Sequence, residues 1–217
     1  MQLTPVQVRI LGCLVEKERT TPDNYPLTVN ALLNACNQTT NRHPIVTFTE
    51  ATVQNALENL RAADLLRIDF SRSNRAEKYR HVLDQVLDAG DAELALLGVL
   101  MVRGPQTSAE LRARTERLHR FADQAALDTT LARLANRAEP LVVRLPPGPG
   151  LKEPRWAHLL SGDVVAEAVI VPPGPASTGR ADRIDALESA VASLTADLDR
   201  LRVDHDALSA RLRELLE

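Results

Sequence analysis

A pattern that occurs twice constrains this chain more than any single residue does. Ile10-Leu11-Gly12-Cys13-Leu14 returns as Leu96-Leu97-Gly98-Val99-Leu100, and the segments after each copy follow in the same order. Repetition at this scale means one supersecondary unit used twice. In the first copy, Thr4 is placed as an N-cap, Pro5 at the first helical position and Gln7 at the capping-box position, so a helix is expected to start there. Val6, Ile10, Leu11, Leu14 and Val15 share one face of it, while Arg9, Glu16 and Lys17 fall outside that face. Thr21 to Pro26 reads as a loop, because two prolines and an Asp-Asn pair favour turns. A second helix is expected over Thr28 to Asn37 and a third over Thr49 to Ala62. Leu65 to Phe70 and Glu77 to Val82 then predict a hairpin with a basic tip at Ser71 to Arg75.

The second copy predicts helices from Asp91 to about Val102, after the capping box Thr107-Ser108-Ala109-Glu110, and from Asp123 to Arg137. Strands follow at Leu141 to Leu145 and Arg155 to Leu159, joined by the Pro- and Gly-rich run Pro146 to Lys152. Three helices and a terminal hairpin, twice over, predict a mainly α fold with small β-hairpins (α+β), arranged as two tandem winged helices. Leu94, Leu97 and Met101 form a core stripe on the second opening helix, but Leu96, Val99, Leu100 and Val102 make it apolar nearly all round. Such a helix is expected to be covered on two sides, between the two units or between two chains.

Bulk properties narrow the function classes. Aromatic residues are only 3% of the 217, so Leu, Val and Ala must build the cores. The net charge of -3 is too near neutral to argue for nucleic acid from the whole-chain field. Its distribution is uneven: residues 1–82 carry 10 basic against 8 acidic side chains, 83–160 carry 10 against 10, and 161–217 carry 6 against 11. Cys13 and Cys36 are the only cysteines and sit in apolar helical patterns, which suits a reduced, cytoplasmic setting. Neither a signal peptide nor a run of apolar residues long enough to span a membrane is read from the sequence.

Val171 to Gly179 is Pro- and Gly-rich and reads as part of a linker. Beyond it a heptad begins. The a positions are Ile184, Val191, Leu198, His205 and Leu212, and the d positions are Leu187, Leu194, Leu201, Leu208 and Leu215. β-branched residues at a with Leu at d favour two parallel strands, and Arg183 would face Glu188 of a partner helix. The expectation is a homodimer through this coiled coil; the alternative is an amphipathic helix that folds back on its own body. Two imidazoles at His205 would meet in a parallel pair, where charging both is disfavoured. The resulting division is 1–84 and 85–165 for the winged helices, 166–181 for the linker and 182–217 for the heptad helix.

Certain segments carry a resemblance. Thr21-Pro22, Tyr25-Pro26-Leu27, Val29-Asn30, Ala35-Cys36-Asn37-Gln38, Asn41-Arg42 and Pro44 mark the first unit. Arg103-Gly104, Gln106-Thr107, Glu110-Leu111-Arg112, Arg114, Leu134-Ala135-Asn136-Arg137, Val142 to Leu145, Pro149-Gly150, Glu153, Arg155 and His158-Leu159 mark the second. Through about Val165 the chain resembles the YceH family of uncharacterised bacterial proteins. The resemblance implies tandem winged helices and a helical tail, and implies no established activity.

Catalysis requires particular spacings of reactive residues. There is no Gly-rich phosphate loop ending in Lys-Ser or Lys-Thr, no His-Glu-x-x-His, no Gly-x-Ser-x-Gly and no Cys-x-x-Cys. A non-enzymatic protein without metal or cofactor is expected. For double-stranded DNA, the third helix of a winged helix enters the major groove and the hairpin meets the backbone. Thr52, Asn55, Asn59 and Arg61 would present the first unit's recognition side, with Glu50 and Glu58 opposing phosphates. Arg72, Arg75, Lys78 and Arg80 on the hairpin could neutralise phosphates, or could be a solvated charged surface. Asn37, Gln38, Asn41 and Arg42 form a dense polar cluster before that helix, suited to a contact or to a turn that satisfies its own backbone. The leading expectation is a dimeric, possible regulator associated with DNA. The alternative is a protein-interaction scaffold that uses the same parts without DNA.

Overall fold

Thr4 fixes where the chain first becomes helical. In the computed structural model, which describes residues 2–69, 76–148 and 153–162, the Thr4 hydroxyl accepts the Gln7 N–H at 3.3 Å and the Gln7 side-chain carbonyl accepts the Thr4 N–H at 2.8 Å. This reciprocal cap satisfies two otherwise orphaned donors, and Pro5 has no N–H to lose. Helix α1 therefore runs Pro5–Thr20. The threonine half of this device recurs. Thr28 accepts from Ala31 to start α2 (Val29–Cys36), and Thr49 accepts from Thr52 to start α3 (Glu50–Ala62). A short α4 (Leu83–Val86) precedes α5 (Asp91–Arg103), where the buried Glu93 carboxylate takes the Gly90 N–H at 3.0 Å. Thr107 with Glu110 caps α6 (Ser108–Thr115), and Asp123 caps α7 (Gln124–Ala135).

Strands β1 (Leu66–Asp69) and β2 (Lys78–His81) pair antiparallel, with Leu66 opposite His81 and Asp69 opposite Lys78. Strands β3 (Val142–Leu145) and β4 (Arg155–His158) pair the same way, with Val142 opposite His158. Each hairpin has a third partner at the equivalent place: Leu27, just before α2, bridges to Tyr79, and Gln106, just before α6, bridges to Trp156. Among the described residues the fold is thus mixed: seven α-helices and two small antiparallel hairpins, in an order that repeats.

Met1–Val169 form one compact unit and Ile170–Glu217 a separate one. The expected linker, the heptad helix and its pairing positions Ile184 to Leu215 lie outside the described residues, as does the hairpin tip with Arg72 and Arg75. Within the first unit the two repeats share a core. Helices α1 and α5 pack on each other, and from Leu94 to Val102 every residue of α5 is buried. This is the cover on two sides that the all-round apolar pattern predicts. Burying a leucine such as Leu96, Leu97 or Leu100 completely contributes roughly 1.5–3 kcal/mol.

Arg9 departs from the helical pattern read above. It is only 4% exposed, because α1 is enclosed on the side that a lone amphipathic helix would leave to water. Its guanidinium donates to the carbonyls of Cys36 at 3.3 Å and Pro44 at 2.6 Å, fastening the loop after α2 to α1.

Candidate interaction surface of the first half

The segment between α2 and α3 is polar in sequence and mostly exposed, but several of its side chains turn back onto the fold. Asn37 holds the backbone of Phe48 with both ends of its amide: Nδ2 donates to the carbonyl at 2.9 Å and Oδ1 accepts the N–H at 2.8 Å. The Arg42 side chain is wholly inaccessible. Its Nε donates to the Ala35 carbonyl at 3.0 Å and its two terminal nitrogens grip Glu16 at 2.6 and 3.3 Å. Both side chains act as fasteners for the 37–48 loop. Gln38 is half-buried. Asn41 is exposed, with φ at 61°, and its Oδ1 accepts from Arg103 at the end of α5. The His43 N–H adds a second link to α5 by donating to the Val102 carbonyl at 2.9 Å. Asn37 and Arg42 thus spend their hydrogen bonds on Phe48, Ala35 and Glu16.

Helix α3 buries Val53, Ala56, Leu57 and Leu60, which turns Asn55, Glu58, Asn59 and Arg61 outward. Thr52 is half-buried at the helix start, its hydroxyl 2.8 Å from that of Thr49. On the hairpin, strand alternation puts Leu66, Ile68, Tyr79 and His81 on the inner face and Arg67, Asp69, Lys78 and Arg80 on the outer one. Lys78 faces Asp69 across the strands. Arg80 faces Arg67, and Arg67 also donates to Asp64 at 2.8 Å. Arg67 was not singled out from sequence; its place opposite Arg80 depends on the register of the hairpin.

Between α3, the start of α2 and the hairpin lies an open groove of about 680 Å³. Val29, Leu57, Ile68 and Tyr79 give it an apolar floor. Among the described residues, Glu50, Glu58 and Glu77 line it with three carboxylates against one cation, Arg61. Glu50 also accepts from Gln54, and Glu77 accepts the Tyr79 hydroxyl at 2.8 Å. Burial and that carboxylate push the Tyr79 phenol up to about 12, so it stays a neutral donor. On α3, Glu58 and Arg61 line this groove, while Asn55 and Asn59 face outward beside it.

The second half is built differently. Arg133 on α7 donates to Glu93 at 2.8 Å and Arg137 binds the carbonyls of Leu87 and Asp88, so both hold α7 against the start of α5. Asp123 is used as the cap. Among the described residues no cluster of three or more His, Cys, Asp or Glu side chains is placed to hold a metal ion. No helix among them is long and apolar enough to cross a membrane.

Comparison with known proteins places the chain in a family. Residues 3–151 match the family described as "Protein of unknown function, DUF480". A UPF0502 protein of Geobacter sulfurreducens is 49% identical over 197 residues, covering 88% of this chain and 90% of its own length. A UPF0502 protein of Cupriavidus necator is 42% identical over 218 residues, covering 99% of this chain and 84% of its own. A third, from Pelobacter propionicus, is 46% identical over 207 residues, covering 93% and 94%. With identity this high over nearly full length, the chain belongs to the UPF0502 family of uncharacterised bacterial proteins, whose shared region is DUF480.

Proposed function

We propose that this chain is a non-enzymatic interaction module of two tandem winged helices, which docks a protein segment in the α2–α3–hairpin groove of its first half. The observation that carries the reading is the groove itself. Its volume is that of an ordinary binding cleft, its floor is apolar, and three carboxylates on its walls match a segment bearing Lys or Arg beside an apolar anchor. The winged-helix description is supported by the repeated order of helices and hairpin and by the matched bridges Leu27–Tyr79 and Gln106–Trp156. The heptad at 182–217 supports pairing of two chains, which would present two grooves. Two free, buried cysteines suit work in the cytoplasm.

A second reading is favoured by one observation. Arg67 and Arg80 stand directly opposite each other on the outer face of the hairpin, an arrangement that costs stability unless an anion intervenes. A DNA phosphate is such an anion, and Arg72 and Arg75 would add to it.

One experiment separates the readings. The full chain is given a photo-crosslinking residue at Gln54, in the groove, or at Ala132, on the exposed side of α7, and is separately titrated with mixed duplex DNA across a salt series. Protein adducts at position 54 that disappear in the Glu50→Lys, Glu58→Lys, Glu77→Lys triple variant, with no DNA binding at low salt, support the groove. Salt-sensitive DNA binding lost on changing Arg67, Lys78 and Arg80 to Ala supports the hairpin and overturns the first reading.

A further inference from the structure

A second cavity, of about 240 Å³, lies where the start of α1, the 43–48 loop, the end of α5 and strand β4 meet. Val8, Val46, Phe48, Leu100 and Met101 make its walls mostly apolar, and Arg9 and His158 also line it. The charge of Arg9 is unusual for this position. The residue is 4% exposed, yet among the described residues no carboxylate pairs with it. Two of the five guanidinium N–H groups are taken by the carbonyls of Cys36 and Pro44. Glu16, the acid whose field reaches Arg9, is already gripped by both terminal nitrogens of Arg42. His158 adds no second cation to the lining, since burial lowers its pKa to about 4 and leaves the ring neutral at pH 7.

A buried cation without an anion is costly, and here it borders an apolar space. An apolar cavity of about 150 Å³ is large enough to hold benzene. This one has room for such a ring and a carboxylate besides. We propose that the cavity is a binding site for a small carboxylate with an apolar body, of the size of benzoate, whose charge pairs with Arg9 while its ring packs against Phe48, Leu100 and Met101. An uncharged ligand of the same shape leaves the guanidinium unpaired, and acetate leaves the apolar walls uncovered. Because the lining comes from both repeats, an occupant ties the loop after α2 to the end of α5 and to β4, and so bears on how the halves are held together.

The test uses the full chain and three probes, benzoate, benzyl alcohol and acetate, followed by calorimetry and by the nuclear Overhauser contacts of the bound ring. Benzoate is expected to bind saturably with one site per chain, with contacts to the Met101, Leu100 and Val46 methyl groups, and to raise the melting temperature. Benzyl alcohol and acetate are each expected to bind about tenfold more weakly or worse. Val46→Phe, which fills the space from its half-buried edge and leaves Arg9 in place, is expected to weaken benzoate by at least about tenfold while the circular dichroism of the free protein is unchanged. No benzoate binding at millimolar concentration overturns the proposal. So does benzyl alcohol binding as well as benzoate, which removes the role of Arg9, or ring contacts to methyl groups elsewhere. The contacts are read on the wild-type chain, so they decide the matter even where Val46→Phe fails to fold.

Discussion

Gly12 of α1 lies so close to Met101 of α5 that a Cβ added at Gly12 would fall 2.8 Å from the Met101 Cβ. The relation is repeated with the helices exchanged: a Cβ at Gly98 of α5 would fall 2.8 Å from Val15 Cγ1 of α1. Gly12 and Gly98 hold the same place in the repeated motif, and Val15 and Met101 each stand three residues further on. The two opening helices thus meet about a local two-fold relation, each glycine admitting the other's larger side chain, and this contact joins the two halves of the core.

Gly98→Ala is therefore expected to destabilise the protein by about 1–3 kcal/mol, since the methyl group has a rigid β-branched neighbour and not the end of a flexible chain. Val15→Ala removes that neighbour and costs roughly 0.5–3 kcal/mol as a cavity. The double variant should be more stable than the sum of the two losses implies, with a coupling of about 0.5–3 kcal/mol measured by urea denaturation. Strict additivity would mean that α5 shifts to relieve the clash.

Arg42→Ala should cost about 3–5 kcal/mol, because it leaves the Glu16 carboxylate without its buried partner and the Ala35 carbonyl without its donor. Asn37→Ala should cost roughly 1–3 kcal/mol through the unsatisfied Phe48 N–H and carbonyl. Denaturant midpoints measure both. A loss within about 0.5 kcal/mol for Arg42→Ala, typical of an exposed position, would contradict its role as a fastener.

These two residues mark the limit of what was legible in the sequence. The helices, their Thr and Asp caps, both hairpins and the double cover of α5 follow from local pattern, since capping and periodicity are local signals. The ends were placed within one or two residues of where the hydrogen bonds place them, as with Thr28 to Asn37 against Val29–Cys36. What pattern did not reveal is direction. Asn37 and Arg42 sit in a polar loop and Arg9 lies off the apolar stripe of α1, so all three read as surface, but their partners are carbonyls, a backbone N–H and a carboxylate distant in sequence. The short α4 was also missed, being a single turn without a side-chain cap. Arg67 became part of the candidate site only through the register that sets it opposite Arg80.

Stability is expected to fall on mild acidification. Burial holds His158 at about 4 in the folded chain, against an ordinary value of 6.5, and its Nδ1 has no partner. The unfolded chain therefore binds a proton first as pH drops, so the contribution of neutral His158 is complete above pH 6.5 and is lost progressively down to about pH 4. The full span corresponds to at most about 3 kcal/mol. Glu18 acts in the same direction further down, since its hydrogen bond with His81 lowers its pKa and that stabilisation is lost as pH falls through the lowered value. His158→Gln should flatten the slope of stability against pH between 6.5 and about 4.5, and a slope that persists undiminished would assign the effect to other groups.

The two cysteines should resist modification. Cys13 and Cys36 are both fully buried, and contact with Cys13 together with burial pushes the Cys36 thiol up. A reagent must reach the sulfur, and neither is accessible, so neither should react with an aromatic disulfide reagent until the fold opens. Absorbance on mixing should show two thiols released in urea and essentially none in buffer. Prompt reaction of either one in buffer would mean that the α1–α2 contact opens far more readily than its packing implies.

The facing arginines of the first hairpin make the last prediction. Like charges directly opposite across an antiparallel pair cost stability, and the carboxylate that Arg67 meets among the described residues is Asp64, in an exposed pair of small worth. Arg80→Glu converts the repulsion to attraction without touching the inner face of the strand, where Tyr79 and His81 are buried. The variant should be more stable than the wild type by roughly 0.2–1 kcal/mol, with an unchanged denaturant slope. The gain should shrink as salt is added, because both side chains are exposed and screened. A midpoint that stays level at low salt would mean that Asp64 already neutralises Arg67, which removes the observation on which the DNA reading rests. A gain accompanied by lost DNA binding would instead show a surface that keeps a repulsive pair for the sake of its anion.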